Sequence, residues 1–191
     1  LPLITLGRSD AAGLIPSVQT DNQLAGEMAA KYLLSLGLTR LGFLAGRGDG
    51  QASNERYQGF KRYLMTAGYP EPVCLSAGSY RYQAGFEAVL QHQQQLQSLD
   101  GLFCAADSLA LGVMDCCRQA LNIAVPAQLR LVGCDDIPMA GWEGYQLTTL
   151  AQPVNRIAQQ VITLLEGIWA QSENQPNLIK LEPELIVRKS A

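Results

Sequence analysis

Histidine is nearly missing from this chain: His92 is the only one in 191 residues. That leaves little support for a histidine-based nucleophilic triad or a His-rich metal site, and His92 stands in the glutamine run Gln91–Gln95, where it reads as a solvated helix residue. Positive charge is in deficit. Lys and Arg number 14 against 17 Asp and Glu, a net charge of -3, whereas a surface that grips a phosphate backbone needs a positive excess. No apolar run approaches the roughly 20 residues that span a bilayer, and the start at Leu1–Leu6 lacks the charged leading region and cleavage site of a signal peptide. The five cysteines, Cys74, Cys104, Cys116, Cys117 and Cys134, are odd in number and show no C-x-x-C spacing. Most lie in apolar runs, so they read as reduced structural thiols, which points to the cytosol.

What the chain does have is apolar material, 48% of its residues, in short runs that alternate with helical segments. The strand-like runs are Leu3–Leu6, Leu41–Ala45, Gly101–Ala105 and Leu129–Cys134. Helical spacing marks Asp21–Leu36, Ser53–Ala67, Tyr82–Gln95, Ser108–Leu121 and Val154–Trp169. In the first of these, Leu24, Met28, Tyr32 and Leu36 line one broad face beside Ala25, Ala29 and Leu33. Asp21 stands where a helix start is capped, and Gly37 where a left-handed residue closes one. Strands alternating with helices predict βαβ units and a parallel sheet covered by helices. The alternation breaks at an extended stretch, Thr148–Leu150. A polar loop at Gln171–Asn177 then precedes a last strand at Glu184–Arg188.

In an open parallel sheet, ligands bind beyond the carboxyl ends of the strands. The polar residues that follow the strands are Arg47, Asp49, Ser53, Asn54, Glu55 and Arg56 after the second run, Asp107 after the third, and Asp135 with Asp136 after the fourth. An arginine offers forked donors and a carboxylate paired acceptors, so Arg56 and Asp135 facing one cleft suit the hydroxyls of a polyol. The same two residues can equally salt-bridge or cap helices, and spacing alone does not choose. Gly46, Gly48 and Gly50 follow a strand, but Gln51 stands where a dinucleotide fingerprint needs glycine, and no Gly-Lys-Ser/Thr phosphate loop occurs. Asp135-Asp136 has the form of a phospho-acceptor or Mg²⁺ pair at a strand end, without a nearby Lys or third acid of clear placement.

Eight segments in order carry a resemblance. They include Val18–Asn22 (V-x-x-D-N), Leu36–Gly46 (L-G-H-R-R-I-A-F-I-G-G), Arg56–Phe60 (R-x-x-G-F), Phe103–Gly112 (F-A-A-N-D-x-x-A-L-G), Val132–Pro138 (V-G-F-D-D-I-P), Leu147–Pro153 (L-T-T-V-x-Q-P) and Pro183–Arg188 (P-E-L-I-V-R). Over nearly its whole length the chain resembles the effector-binding core of LacI/GalR-type bacterial transcription regulators. The resemblance implies an α/β fold of two doubly wound parallel-sheet lobes, periplasmic binding protein-like type I, with the first lobe incomplete at its N-terminus and its sheet edge exposed or covered by a partner. Residues 1–38 would be part of the N-terminal lobe and 39–149 the C-terminal lobe. Residues 150–172 would return to the N-terminal lobe, and 173–191 would supply the final strand of the C-terminal lobe.

The implied function is effector sensing in a cytoplasmic repressor, with no enzyme activity, cofactor or metal. A small sugar-like molecule would bind in the interlobe cleft and control operator binding by a helix-turn-helix that this chain lacks. A homodimer and no membrane association are implied as well. The family's ligand positions fall on Asp21, Arg56, Asp135 and Gln152, with Ser53 and Tyr80 at lesser ones. Two departures stand out: Ala106 where many members carry Asn, and Cys134 where an aromatic is usual. The rival readings are a sugar-binding protein of a transport system with the same fold and a metal-dependent enzyme using Asp135-Asp136.

Overall fold

The computed structural model describes residues 3–10, 12–170 and 176–191. Its elements in chain order are β1 (Thr5–Leu6), β2 (Ser17–Thr20), α1 (Asn22–Ser35), β3 (Leu41–Ala45), α2 (Gln51–Thr66), β4 (Val73–Ser76), α3 (Tyr82–Gln91), α4 (Gln93–Gln97), β5 (Gly101–Cys104), α5 (Asp107–Cys116), β6 (Arg130–Asp135), β7 (Thr148–Ala151), α6 (Val154–Trp169), β8 (Leu178–Leu181) and β9 (Glu184–Ile186). A π-helical turn, Cys117–Leu121, continues α5, and a 3-10 turn, Pro138–Gly141, follows β6. Among the described residues, no helix is long and apolar enough to cross a membrane. The chain forms two units: Leu1–Asp21 with Gln152–Glu184, and Asn22–Ala151 with Leu185–Ala191.

The larger unit is built on a six-stranded sheet in the order β4-β3-β5-β6-β7-β9. The strands from β4 to β7 are all parallel, with Phe43 beside Phe103, Phe103 beside Val132, and Asp135 beside Ala151. The apolar runs read from the sequence are these central strands, and they are buried as strands covered on both faces are. Phe43, Phe60 and Phe103 form the aromatic centre of the core, with ring centroids 5.4–6.3 Å apart.

Helices cover the sheet as two close pairs, α1 with α2 and α3 with α5. Each crossing is made by reciprocal glycines. A Cβ on Gly26 would fall within 3.0 Å of the Arg56 carbonyl and the Phe60 nitrogen, and one on Gly59 would run into the Gln23 carbonyl. Gly85 meets the backbone of Leu109 in the same way, and Gly112 that of Tyr82. This backbone-to-backbone approach corrects the sequence reading of α1. Its buried stripe is Ala25, Gly26, Ala29, Ala30 and Leu33, while Met28 and Tyr32 are only half-buried and Leu36 is exposed. Small residues win because the partner helix is too near for large ones. Gly37 does close α1 in the left-handed region, at φ 79°.

The unit boundaries differ from those the sequence suggests. Asn22–Ser35 packs on α2 and so joins the larger unit at Asn22 rather than at residue 39. Leu178–Leu181 pairs in parallel with β2, Val18 beside Ile179, and so belongs to the smaller unit. Part of the expected loop, residues 171–175, lies outside the described residues. The strands β2, β4 and β8 go unread in the sequence because each is four residues long and carries polar or half-exposed positions.

The smaller unit is a parallel three-stranded sheet in the order β1-β2-β8. Val18, Leu164 and Leu181 are its buried cluster, with Ile4, Ile157, Val161 and Ile179 packed around them. Leu6 on β1 and Leu178 on β8, the two edge strands, are exposed. Gln19 follows Val18 and so points to the opposite face of β2. It is 1% exposed, and among the described residues neither its amide nitrogen nor its oxygen has a hydrogen-bond partner. A buried amide without partners costs about 1–3 kcal/mol. Gln19→Met, close in volume and free of polar atoms, should therefore raise the unfolding free energy in urea denaturation by about 1 kcal/mol or more. Unchanged or lower stability would mean that the amide is satisfied in solution.

A candidate ligand site at the carboxyl ends of the strands

Four elements of the larger unit converge on one side chain. Arg56 leaves the middle of α2 and is 5% exposed. Its Nε donates to Asn22 Oδ1 at the start of α1 (2.9 Å), and its Nη1 donates to the Ala105 carbonyl just beyond β5. Its Nη2 lies 3.6 Å from Asp135 Oδ1 at the end of β6. The arginine and the carboxylate singled out in the sequence are thus brought together, and they do pair. The guanidinium is spent largely on protein partners. The Asp135 side chain keeps 27% of its surface open.

The backbone that presents Asp135 is strained. Asp135 has φ 125° and Asp136 φ 54°, consecutive values that L-residues rarely adopt. Asp136 is held by Arg188, whose Nη2 is 2.7 Å from its Oδ1 and whose Nη1 donates to the Leu147 carbonyl. The two aspartates therefore serve different partners. Among the described residues, no three His, Cys, Asp or Glu side chains gather in a way that could hold a metal ion.

Asp107, flagged in the sequence only as a residue following a strand, is fully buried beneath this turn. Its Oδ1 accepts from Thr149 Oγ1 (2.6 Å) and its Oδ2 from the Ile137 backbone N–H (2.9 Å). Burial pushes its carboxyl up to about 6, while the bonds from Thr149 and Ile137 pull the other way and Asp135 and Asp136 add to the rise. A carboxyl whose folded pKa lies above its unfolded value of 3.8 favours the folded state most at low pH. That advantage is lost as pH rises from about 4 to about 6, at a slope approaching ~1.4 kcal/mol per pH unit. Urea denaturation between pH 4 and pH 8 should show Asp107→Asn gaining stability on the unmodified protein across that window, then holding a constant difference. Parallel profiles would contradict the raised pKa.

The remaining expected residues take distinct places. The Tyr80 ring fills the space that side chains on Gly46 and Gly50 would occupy, so the two glycines of the loop after β3 form its seat. Ser108 Oγ donates to the Tyr80 carbonyl (2.5 Å). Ser53 is buried, and its Oγ accepts the Gly46 N–H at 3.3 Å. In the smaller unit, Asp21 follows β2 and donates its backbone N–H to the Leu181 carbonyl (2.8 Å), and Gln152 Oε1 accepts from Thr20 Oγ1 (3.4 Å). Both Asp21 and Gln152 are half-buried. Cys134 and Ala106, the two departures, are both buried, and burial pushes the Cys134 thiol up to about 12 despite the nearby Arg56. It therefore stays a neutral thiol behind Asp135. All five cysteines are free. Sequence reasoning missed Asn22 and Arg188 as supports. Asn22 offered a signal, a polar residue opening a helix, and Arg188 offered only its place at the end of the segment Pro183–Arg188.

A family profile for the periplasmic binding protein-like domain matches residues 30–191. Among curated proteins, the HTH-type transcriptional repressor PurR of Photobacterium profundum is 25% identical over 191 residues, which cover 100% of this chain and 57% of the repressor. The chain thus spans little more than half the length of the curated relatives it matches. Among solved structures, the complex of the transcriptional regulator CelR with cellobiose has a TM-score of 0.90 at 27% identity, covering 100% of this chain and 59% of that one. A LacI-family transcriptional regulator from Enterococcus faecium with bound ribose has a TM-score of 0.86 at 25% identity, covering 99% and 70%.

Proposed function

Because the chain belongs to the periplasmic binding protein-like domain family, we propose that it is the effector-sensing core of a LacI/GalR-type transcription repressor, binding a small sugar-like molecule. The observation that carries this reading is the buried Arg56 paired with a part-exposed Asp135 at the carboxyl ends of the strands. Asp135 accepts ligand hydroxyls, and the Tyr80 ring offers an apolar face to the C–H face of a sugar. Asp21 and Gln152, in the smaller unit, are carried as ligand positions by the family resemblance alone. Ser53 acts through Gly46, since its hydroxyl is already engaged there. Cellobiose and ribose, the sugars named in the two similar complexes, set the chemical range.

No bond is made or broken in this reading. The ligand acts by favouring one arrangement of the regulator, with a coupling free energy of about 1–3 kcal/mol to operator binding by a helix-turn-helix elsewhere in the intact homodimer. The similarity to the repressor PurR of Photobacterium profundum favours a regulatory role over a transport one. A thermal-shift panel of sugars, sugar acids and purines tests the proposal. At least one should raise the midpoint, because a ligand that binds only the folded state stabilises it. Asp135→Asn should lose at least about half of that shift, because a neutral amide is a weaker acceptor for hydroxyl donors. A panel with no shift, or a shift indifferent to Asp135, would sink the assignment.

A further inference from the structure

Asp135 and Asp136 stand in a strained conformation, with φ 125° and 54°. Consecutive positive-φ residues persist only where their surroundings hold them. Three holds are present: the β6–β7 register beside Asp135, the Arg188 ion pair on Asp136, and the Asp107 carboxylate on the Ile137 N–H. Of these, the carboxylate alone is fully buried. It starts α5 and reaches the far end of the turn with one oxygen and β7, through Thr149, with the other. The chain makes room for it: a side chain at Gly133 would collide with Asp107 Oδ1.

We propose that Asp107 is the positioning residue of the ligand site, holding the Asp135–Ile137 turn so that the Asp135 carboxylate stands beside Arg56. The inference rests on the reading of Asp135 as a ligand-facing group. Asp107 itself has no exposed surface and meets no ligand. Its role is geometric. An asparagine can keep both contacts, with its oxygen on the Ile137 N–H and its amide donating to Thr149 Oγ1, which also accepts. An alanine keeps neither. Without the Ile137 bond the turn relaxes toward negative φ, and a rotation at Asp135 swings its side chain away from Arg56.

Crystal structures of the ligand-free protein, Asp107→Ala and Asp107→Asn decide this, with calorimetric titrations of cellobiose and D-ribose alongside. In Asp107→Ala, Asp135 should leave the positive-φ region and the Arg56–Asp135 pair should open. Asp107→Asn should restore both. For whichever sugar the unmodified protein binds, the alanine variant should lose at least about tenfold in affinity, and the asparagine variant should recover most of it. An alanine variant with the turn and the pair unchanged overturns the proposal. Should that variant not fold, Thr149→Val removes one Asp107 contact and leaves the carboxylate in place. The Ile137 amide should then exchange with solvent at least about tenfold faster than in the unmodified protein, and an unchanged rate overturns the proposal equally. If the unmodified protein binds neither sugar, the choice of ligand under the proposed function is what fails, and the ligand-free structures still decide the role of Asp107.

Discussion

Gly59→Ala should destabilise this protein by about 3 kcal/mol, although glycine to alanine inside a helix ordinarily gains ~0.5–1 kcal/mol. The added methyl would meet the Gln23 carbonyl carbon and oxygen well inside the closest approach that real Cβ atoms make. Backbone cannot rotate aside as a side chain can, so α1 and α2 must separate along their whole crossing. Gly26 would then lose its own close fit on the backbone of Arg56 and Phe60. The same separation draws Asn22, the first residue of α1, away from Arg56 Nε. A packing defect on the helix face would thus reach the candidate ligand site one turn away. Urea denaturation of Gly59→Ala and Gly26→Ala measures the loss, and both should fall together because they open the same contact. A gain in stability for either would show that the helices cross more loosely than described.

That crossing marks where sequence reading stopped. Leu41–Ala45 and Val154–Trp169 stand in the structure with the bounds their apolar patterns give, because a buried strand and a strongly amphipathic helix impose their own periods. The pattern of α1 gave Ala25, Ala29 and Leu33, which are buried, together with Leu24, Met28, Tyr32 and Leu36, which are half-buried or exposed. Its true face is the small one, and only the presence of α2 at glycine distance decides that. The same partner settles which unit α1 joins, which no single helix can announce. The site was legible where chemistry follows a strand directly. Arg56 and Asp135 were picked from position and residue type, and the structure joins them. The supports were harder to see. Asp107 was visible as a polar residue after β5 but without a reason. Arg188 reaches Asp136 across 52 positions of sequence, a separation that local spacing cannot register.

Arg56→Ala is expected to cost about 3 kcal/mol of folding stability as well as ligand binding. The loss is not that of a surface ion pair, whose worth is ~0–1 kcal/mol. The guanidinium is 5% exposed and satisfies Asn22 Oδ1, the Ala105 carbonyl and Asp135 together. Truncation strands two acceptors in a buried setting, at about 1–3 kcal/mol each, beside a carboxylate left without its counter-charge. Asp135 is partly open to water, so its own share is the smaller one. A double-mutant cycle with Asp135→Asn separates the parts: the coupling should be about 1 kcal/mol, with most of the single-mutant loss lying outside the pair. Arg56→Lys should recover only part, since an ammonium keeps the charge but cannot serve three directions with a planar fork. If Arg56→Ala unfolded at the same urea concentration as the unmodified protein while abolishing the ligand-induced thermal shift, Arg56 would be a ligand group alone. If stability fell and the Asp135-dependent shift survived, it would be a structural strut alone. The geometry supports both roles at once: the contacts that bury the guanidinium also hold it next to the part-exposed Asp135 carboxylate.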